Sequence, residues 1–341
     1  MKKRVSAKWI VRFFALLMVV IVGVGRGLIG YAEENVRHLD YGIIEYTNEA
    51  GNLVREYDSS RVASAHARSQ RDHLWVKEML MVMGMREDII DNISDEKMDK
   101  YAGNGKMYSV CTQESASMEN NAESLTEDKI LVASDTSEEG KYVSGSYSDD
   151  YIYVDHYVWI SNDGNTIIPT TIAIWDRMPF YRLTDSLGSC TQNCAVRTET
   201  MEGFYSYDQS FVTNTGASST NHIKTDFVAP EGGTNFTDET DFQLVTNGVY
   251  TGVGVTFDVP SNFSGSEIDI WYSDFTVLLS YEASPIGAAS GEELGVAASY
   301  CHTTWRFGMD VSLSINQDLS ITPKFVVTCH KKDLFYPIIL P

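Results

Sequence analysis

The hydrophobic pattern of the chain changes period twice, and each change marks a different kind of segment. Residues 1–32 open with Lys2, Lys3, Arg4, Lys8 and Arg12, continue in an uncharged apolar run from Phe13 to Gly25, and close on Gly27, Gly30 and Ala32 before Glu33-Glu34. A basic head, a short apolar body and a small-residue end form the pattern of a secretory signal peptide. As a helix the 13-residue run would reach only about 20 Å at 1.5 Å per residue. A hydrocarbon core is about 30 Å thick, so a stable span would have to draw in Arg12 or Arg26. The segment therefore reads as membrane-targeting and cleaved at Ala32–Glu33. Left uncleaved, it would be an N-terminal membrane anchor.

The next stretch mixes a hairpin with helical text. Residues 36–57 alternate apolar and polar positions on both sides of Asn48-Glu49-Ala50-Gly51-Asn52, a turn signal. Ser59 or Ser60 can cap a helix from Arg61 to about Met83, with Trp75, Met79, Val82 and Met83, and Leu74 and Met81 beside them, facing inward. Gly84 ends it. A short helix over Arg86–Asn92 and a third, capped by Ser94 and running to about Ala102, complete a small helical unit that stops at Gly103-Asn104-Gly105. Residues 112–140 are polar and acidic, broken by one short strand signal at Ile130–Ala133, and read as a linker.

From Lys141 the period becomes two. Runs such as YIYVDHYVWIS, TIIPTTIAIW, GVYTGVGVTFDV and IDIWYSDFTVLLSYEA are separated by turn signals at 162–165, 231–233, Asn247-Gly248 and 316–318. Short aromatic and β-branched runs at this spacing predict an antiparallel sandwich. The expected fold is mainly β with a small α unit: an N-terminal helical segment and a C-terminal antiparallel β-sandwich. The expected division is 1–32 signal peptide, 33–110 hairpin and helical unit, 111–140 acidic linker, and 141–341 β-sandwich domain.

Charge narrows the partners. Without residues 1–32 the chain keeps 20 basic side chains (26 less 6) against 47 acidic ones, a formal charge of −27. Such a surface repels phosphate backbones, which argues against nucleic acid, and it repels anionic polymers and membranes for the same reason. Export permits disulfides. The five cysteines are Cys111, Cys190, Cys194, Cys301 and Cys329. Cys190 and Cys194 can close a small ring in the loop GSCTQNC. Cys301 and Cys329 can bond across a hairpin centred near residue 315, and Cys111 is left over.

Two stretches carry a resemblance. Val82-Met83-Gly84-Met85, Ile89 to Glu96, and Tyr101-Ala102 resemble a helical segment in uncharacterised exported proteins of Gram-positive bacteria. Trp175, Pro179, Arg182 and Asp185 fall where the β-rich region of those proteins has similar residues. The resemblance implies export and a helical segment followed by a β-rich region, and it brings no chemistry with it.

Catalytic signals are weak. Val326-Val327-Thr328-Cys329 resembles the strand that presents the nucleophile of sortases, which need a thiol, a His and an Arg. No Arg follows Cys329, and His302 and His222 lie at unsuitable spacing. Cys301-His302 and Cys329-His330 suggest zinc, but adjacent residues on a strand face opposite sides. Ser94-Asp95-Glu96-Lys97 has the S-x-x-K form without its partner motifs. His66, His73, Arg68 and Arg71 form a basic patch, and Trp159, Trp175, Trp271 and Trp305 lie in strand text where core packing is the default. We therefore expect no catalytic residue, cofactor or metal. The expected function is a non-enzymatic, exported binding or structural protein of the cell envelope or extracellular space, its ligand unknown. The alternatives are a sortase-like cysteine acyl transferase and a carbohydrate-binding module. Protein recovered outside the cytoplasm should have the intact mass of residues 33–341; retention of Met1–Ala32 would show an anchor instead.

Overall fold

A computed structural model of the chain describes residues 36–48, 53–62, 72–111, 152–175, 184–231, 240–306, 313–315, 321–323 and 326–341; the side chains of Cys111 and of 303–332 lie outside the described set. The strands are β1 (Arg37–His38), β2 (Ile44–Thr47), β3 (Leu53–Asp58), β4 (Gly105–Cys111), β5 (Ile152–Ser161), β6 (Ile167–Trp175), β7 (Thr184–Gln192), β8 (Cys194–Thr213), β9 (Ser218–Asp226), β10 (Phe242–Asn247), β11 (Tyr250–Asp258), β12 (Phe263–Ser264), β13 (Ile268–Pro285), β14 (Glu293–Arg306), β15 (Leu313–Ile315), β16 (Ile321–Pro323) and β17 (Val326–Ile339). The helices are α1 (His73–Val82), α2 (Glu87–Ile90) and α3 (Asp95–Ala102).

The mainly β architecture is as the alternation predicts. One sheet has ten strands along the path β1-β2-β3-β4-β5-β6-β13-β8-β9, with β12 paired to β13. A second has the order β10-β11-β7-β14-β17, and β15 and β16 form a small ribbon. All pairings are antiparallel. The larger core lies between the two big sheets and includes Val154, Val158, Leu187, Val253, Phe275, Tyr281, Val296 and Tyr336. A second core covers the other face of the ten-stranded sheet. There Val76, Met79, Leu80 and Met83 of the helical unit meet Tyr157, Trp159, Ile172 and Leu278. The molecule thus has three layers, with helices on the back of a sandwich.

The expected boundary at 111–140 does not interrupt the sheet. β4 pairs with β5 from Gly105↔Ser161 to Cys111↔Asp155, so strands on both sides of the acidic segment belong to one sheet and share both cores. The reason is local: GKMYSVC buries Tyr108 and Val110 on one face and Met107 on the other, and it needs partners on both edges.

Residues 63–71 of the expected Arg61–Met83 helix lie outside the described residues, and the described helix begins at His73. Asp72, extended at φ −94°, accepts a bond from Trp75 N through its side chain and caps α1, while Ser59 lies in a 3-10 turn capped by Asp58. This registry turns Val76 and Leu80 inward and leaves Leu74 and Met81 exposed. Ser94 stands at the N-cap of α3 as expected, though its side chain makes no cap bond.

His156 on β5 is fully buried, and neither ring nitrogen has a hydrogen-bond partner among the described residues. Its ring packs edge-on against Tyr336 at 5.6 Å. Burial pushes its pKa from 6.5 down to about 3. Between those values the unfolded chain takes up a proton that the folded chain refuses. Its cost is absent above pH 6.5 and grows as the pH falls, at about 1.4 kcal/mol per unit. Denaturant unfolding of wild type and His156→Leu from pH 7 to 4.5 should show the variant losing about 2.7 kcal/mol less over that range. Parallel losses would show that His156 is already charged in the fold.

Candidate functional site

Three places gather side chains of chemical interest. The first lies at one end of the inter-sheet core. Asp185 on β7, Tyr300 and His302 on β14, and Trp175 at the end of β6 converge there. His302 Nδ1 stands 2.8 Å from Asp185 Oδ1. The Tyr300 hydroxyl donates to the other carboxylate oxygen, and Trp175 Nε1 donates to the Tyr300 hydroxyl at 2.8 Å. Burial, together with the Asp185 charge, raises the Tyr300 pKa well above its ordinary value. The carboxylate beside Nδ1 favours the tautomer with its proton there, which leaves Nε2 as the lone-pair atom. Nε2 is buried and has no partner among the described residues.

This carboxylate–imidazole order is the arrangement of a general base. However, His302 is 2% exposed and Asp185 is fully buried, so the imidazole is shut from solvent. The geometry fits a core fastener that ties the ends of β6, β7 and β14. Sequence spacing could not have found it, because Asp185 and His302 lie 117 residues apart.

The second place is the junction of α3 with the ten-stranded sheet. Lys97, almost wholly buried, pairs with Glu202 at 2.8 Å. Burial lowers the Lys97 pKa, against the opposing pull of the Glu202 carboxylate. The buried Glu282 carboxylate takes both Lys100 and Arg197, the latter at 3.0 Å. Beneath α3, Tyr101, Thr170 and Ser280 form a buried hydroxyl chain. Next to Glu202 a cleft of about 250 Å³ opens between the helical unit and the sheet, lined by Asn92, Met201, Glu202, Phe204, Asp226 and Phe227, among others.

The third place is an arm. Beyond Tyr205, β8 continues to Thr213 with β9 on one side and β13 on the other. One face of this ribbon carries Tyr207, Gln209 and Phe211 of β8 with Ile270 and Tyr272 of β13. Gln209 donates to the Tyr272 hydroxyl at 3.2 Å. Tyr207 stacks on Phe275 at 6.0 Å, which links the strip to the sandwich core. The other face carries Trp271, 41% exposed, among Ser210, Asp208, Asp269, Thr220 and His222. A bulge explains that placement. Between Ser273 and Thr276 the β13 register gains one residue over β8, and Asp274 there has φ 52°. The extra residue flips the phase, so Trp271 faces away from Phe275. Trp159 and Trp175, by contrast, are buried as expected.

The remaining sequence-derived residues are dispersed. Cys190 and Cys194 are free thiols and do not form the expected ring. Cys190 packs with Val245 and Ala297 on the outer face of the five-stranded sheet, whereas Cys194 joins the inter-sheet core. The turn at Asn193, φ 49°, sends the two side chains to different sides. Cys301 is disulfide-bonded; the side chain of Cys329 lies outside the described set. The register places Lys331 opposite Cys301 and Cys329 opposite Thr303, two residues from the expected alignment. His73 faces Asp99 at 2.8 Å, while His66, Arg68 and Arg71 lie outside the described residues. Among the described residues no group of three or more His, Cys, Asp or Glu side chains could hold a metal, and no described helix is long and apolar enough to cross a membrane.

No protein-family model matches the chain, and no curated protein matches it. Solved structures match only remotely. The KRT10-binding region domain of the pneumococcal serine rich repeat protein PsrP aligns at 9% identity over 44% of this chain and 76% of its own, with a TM-score of 0.20. AvmM, which catalyzes macrocyclization in alchivemycin A biosynthesis, aligns at 13% identity over 45% and 74%, TM-score 0.20. The Clostridium perfringens NetB toxin in its membrane inserted form aligns at 9% identity over 57% and 93%, also at 0.20. At such scores these likenesses carry no argument.

Burial raises the Cys190 thiol to about 12 and the Cys194 thiol to about 11. Both should resist iodoacetamide at pH 8 in the folded protein and react fully in urea, because the thiolate is the nucleophile. Non-reducing peptide mapping should find no Cys190–Cys194 link. Native labelling of either, or that link, would contradict the packing described.

Proposed function

We propose that this protein is an exported, non-enzymatic binding protein of the cell envelope or extracellular space, and that its arm engages the partner. The observation that carries this reading is the exposure of the arm on both sides. Every residue of β9 except Ile223 is exposed, and Phe263 and Trp271 expose 55% and 41% of their surface. A ribbon wetted on both faces buries little apolar area, so it adds little to folding. Aromatic side chains displayed on such an element fit recognition.

The chemistry elsewhere supports the same reading. The carboxylate–imidazole pair is closed, and the two free thiols are buried and protonated. The signal-like N-terminus and the acidic composition supply the export part of the proposal.

Replacing residues 210–220 with Asn-Gly would join the facing pair Gln209 and Asn221 through a two-residue hairpin turn and shorten the arm. In co-sedimentation with the producing cell's envelope fraction, residues 33–341 should pellet and the shortened variant should stay in solution, with its thermal transition retained. Equal pelleting of both would remove the arm from the function.

A further inference from the structure

The cleft and the outer face of the arm lie along the same face of β8, where Phe204, Ser206 and Ser210 are buried and Lys224 lies over the Phe204 ring. From the register, Glu202, Ser206, Asp208 and Ser210 of β8 share that face with Trp271 and Asp269 of β13 and with Lys224, His222 and Thr220 of β9. Nine residues of β8, from Glu202 to Ser210, span about 27 Å at roughly 3.4 Å per residue. One end is the cleft walled by Asn92 of the helical unit. The other end is the exposed indole of Trp271.

We propose that this trough binds an uncharged oligosaccharide, lying along β8 from the cleft to Trp271. The proposal rests on the binding-protein reading above and names the ligand class. Three features choose that occupant. The accessible part of the face sets the Asp208, Asp226 and Asp269 carboxylates, His222 and Thr220 around a single indole, and the apolar C–H face of a pyranose stacks on an indole while its hydroxyls take the surrounding polar groups. A protein partner would need an apolar centre to its interface, and apart from Trp271 the exposed stretch of this face offers little beyond Val212. Charge excludes polyanions: Glu202, Asp208, Asp226 and Asp269 stand there against Lys224, and Lys97 is already held by Glu202. His222 Nδ1 lies 2.8 Å from Asp208 Oδ1, which fixes the pair as a ready donor and acceptor beside the indole.

The test titrates residues 33–341 with cellohexaose, laminarihexaose and chitohexaose, their disaccharides, and polygalacturonate, following tryptophan fluorescence and calorimetry. At least one neutral hexasaccharide should bind at least ten-fold more tightly than its disaccharide, because only the longer chain reaches both ends. Polygalacturonate should not bind. Trp271→Ala should weaken hexasaccharide binding at least ten-fold and abolish the fluorescence change. Asp208→Ala should weaken binding several-fold without abolishing that change. Trp271 and Asp208 lie at the surface, and unchanged thermal transitions would confirm that both variants fold. Absence of binding by all three neutral hexasaccharides, or binding indifferent to Trp271→Ala, overturns the proposal. If the protein then still pellets with envelopes in an arm-dependent and protease-sensitive way, the arm serves a protein partner, and the broader reading survives without this one.

Discussion

The structure depends on the need to cover both faces of the ten-stranded sheet. β5 and β6 are buried along almost their whole length, and β13 is buried from Phe275 to Ala283. A sheet buried on one side alternates polar and apolar residues, whereas one buried on both sides reads as a continuous apolar run. TIIPTTIAIW and DFTVLLSYEA are such runs, and their side chains cannot be satisfied by one partner layer. The second sheet takes Val154, Val277 and Leu279; the helical unit takes Tyr157, Ile172 and Leu278. The helices are therefore a wall of the core. Their Met-rich face suits the task, since unbranched thioether side chains fill an irregular sheet surface.

Covering the sheet with a charged helix brings charges inside. α3 carries Lys97 and Lys100 onto Glu202 and Glu282, and Arg197 completes the second pair. Pairs with one buried and one partly exposed member add little net stability because desolvation offsets the attraction, yet removing the exposed partner leaves the buried charge uncompensated. Their effect is on register. Glu282 N also bonds Thr200 Oγ1, within the stretch of β8 where the pairing with β13 shifts between Ser280 and Glu282. The ion pairs thus select one seat for α3 and one irregularity in β8, and that irregularity sets Met201 and Glu202 at the lip of the cleft.

Much of this architecture was legible in the sequence. The switch from helical spacing to period two located the sandwich, and Asn48 to Asn52 located the β2–β3 hairpin, where Thr47 pairs with Leu53. The misreadings share a cause, because each depended on contacts distant in sequence. GKMYSVC reads as a tail of the helical unit until β5 is beside it. The α1 cap was placed at Ser59 or Ser60 because hydroxyls are good caps, while the side chain that bonds a helix amide is Asp72. The β14–β17 pairing is centred on residue 316 and not 315, so Cys301 faces Lys331 and Cys329 faces Thr303. Proximity in sequence suggested a Cys190–Cys194 ring, but the αL residue between them separates the two sulfurs. The Asp185, Tyr300 and His302 cluster is assembled by the β7–β14 pairing, to which no short motif points.

Trp271 shows the same principle at a single residue. Its strand alternates regularly as text, and continued inward phase from Phe275 and Val277 would bury the indole with the core. One extra residue at Asp274 reverses that phase, and two aromatic residues exchange roles: Tyr272 turns toward Gln209, and Trp271 turns to solvent. The bulge also bends and twists the ribbon, which bears on a second problem. Among the described residues β9 is the edge strand of its sheet, and an open edge invites pairing with another chain. His222, Lys224 and Asp226 lie on that edge, and charged side chains discourage such pairing. An arm that must stay soluble while displaying an indole needs that combination: a local phase change that presents one aromatic ring, on a strand whose charges keep the backbone edge unpaired.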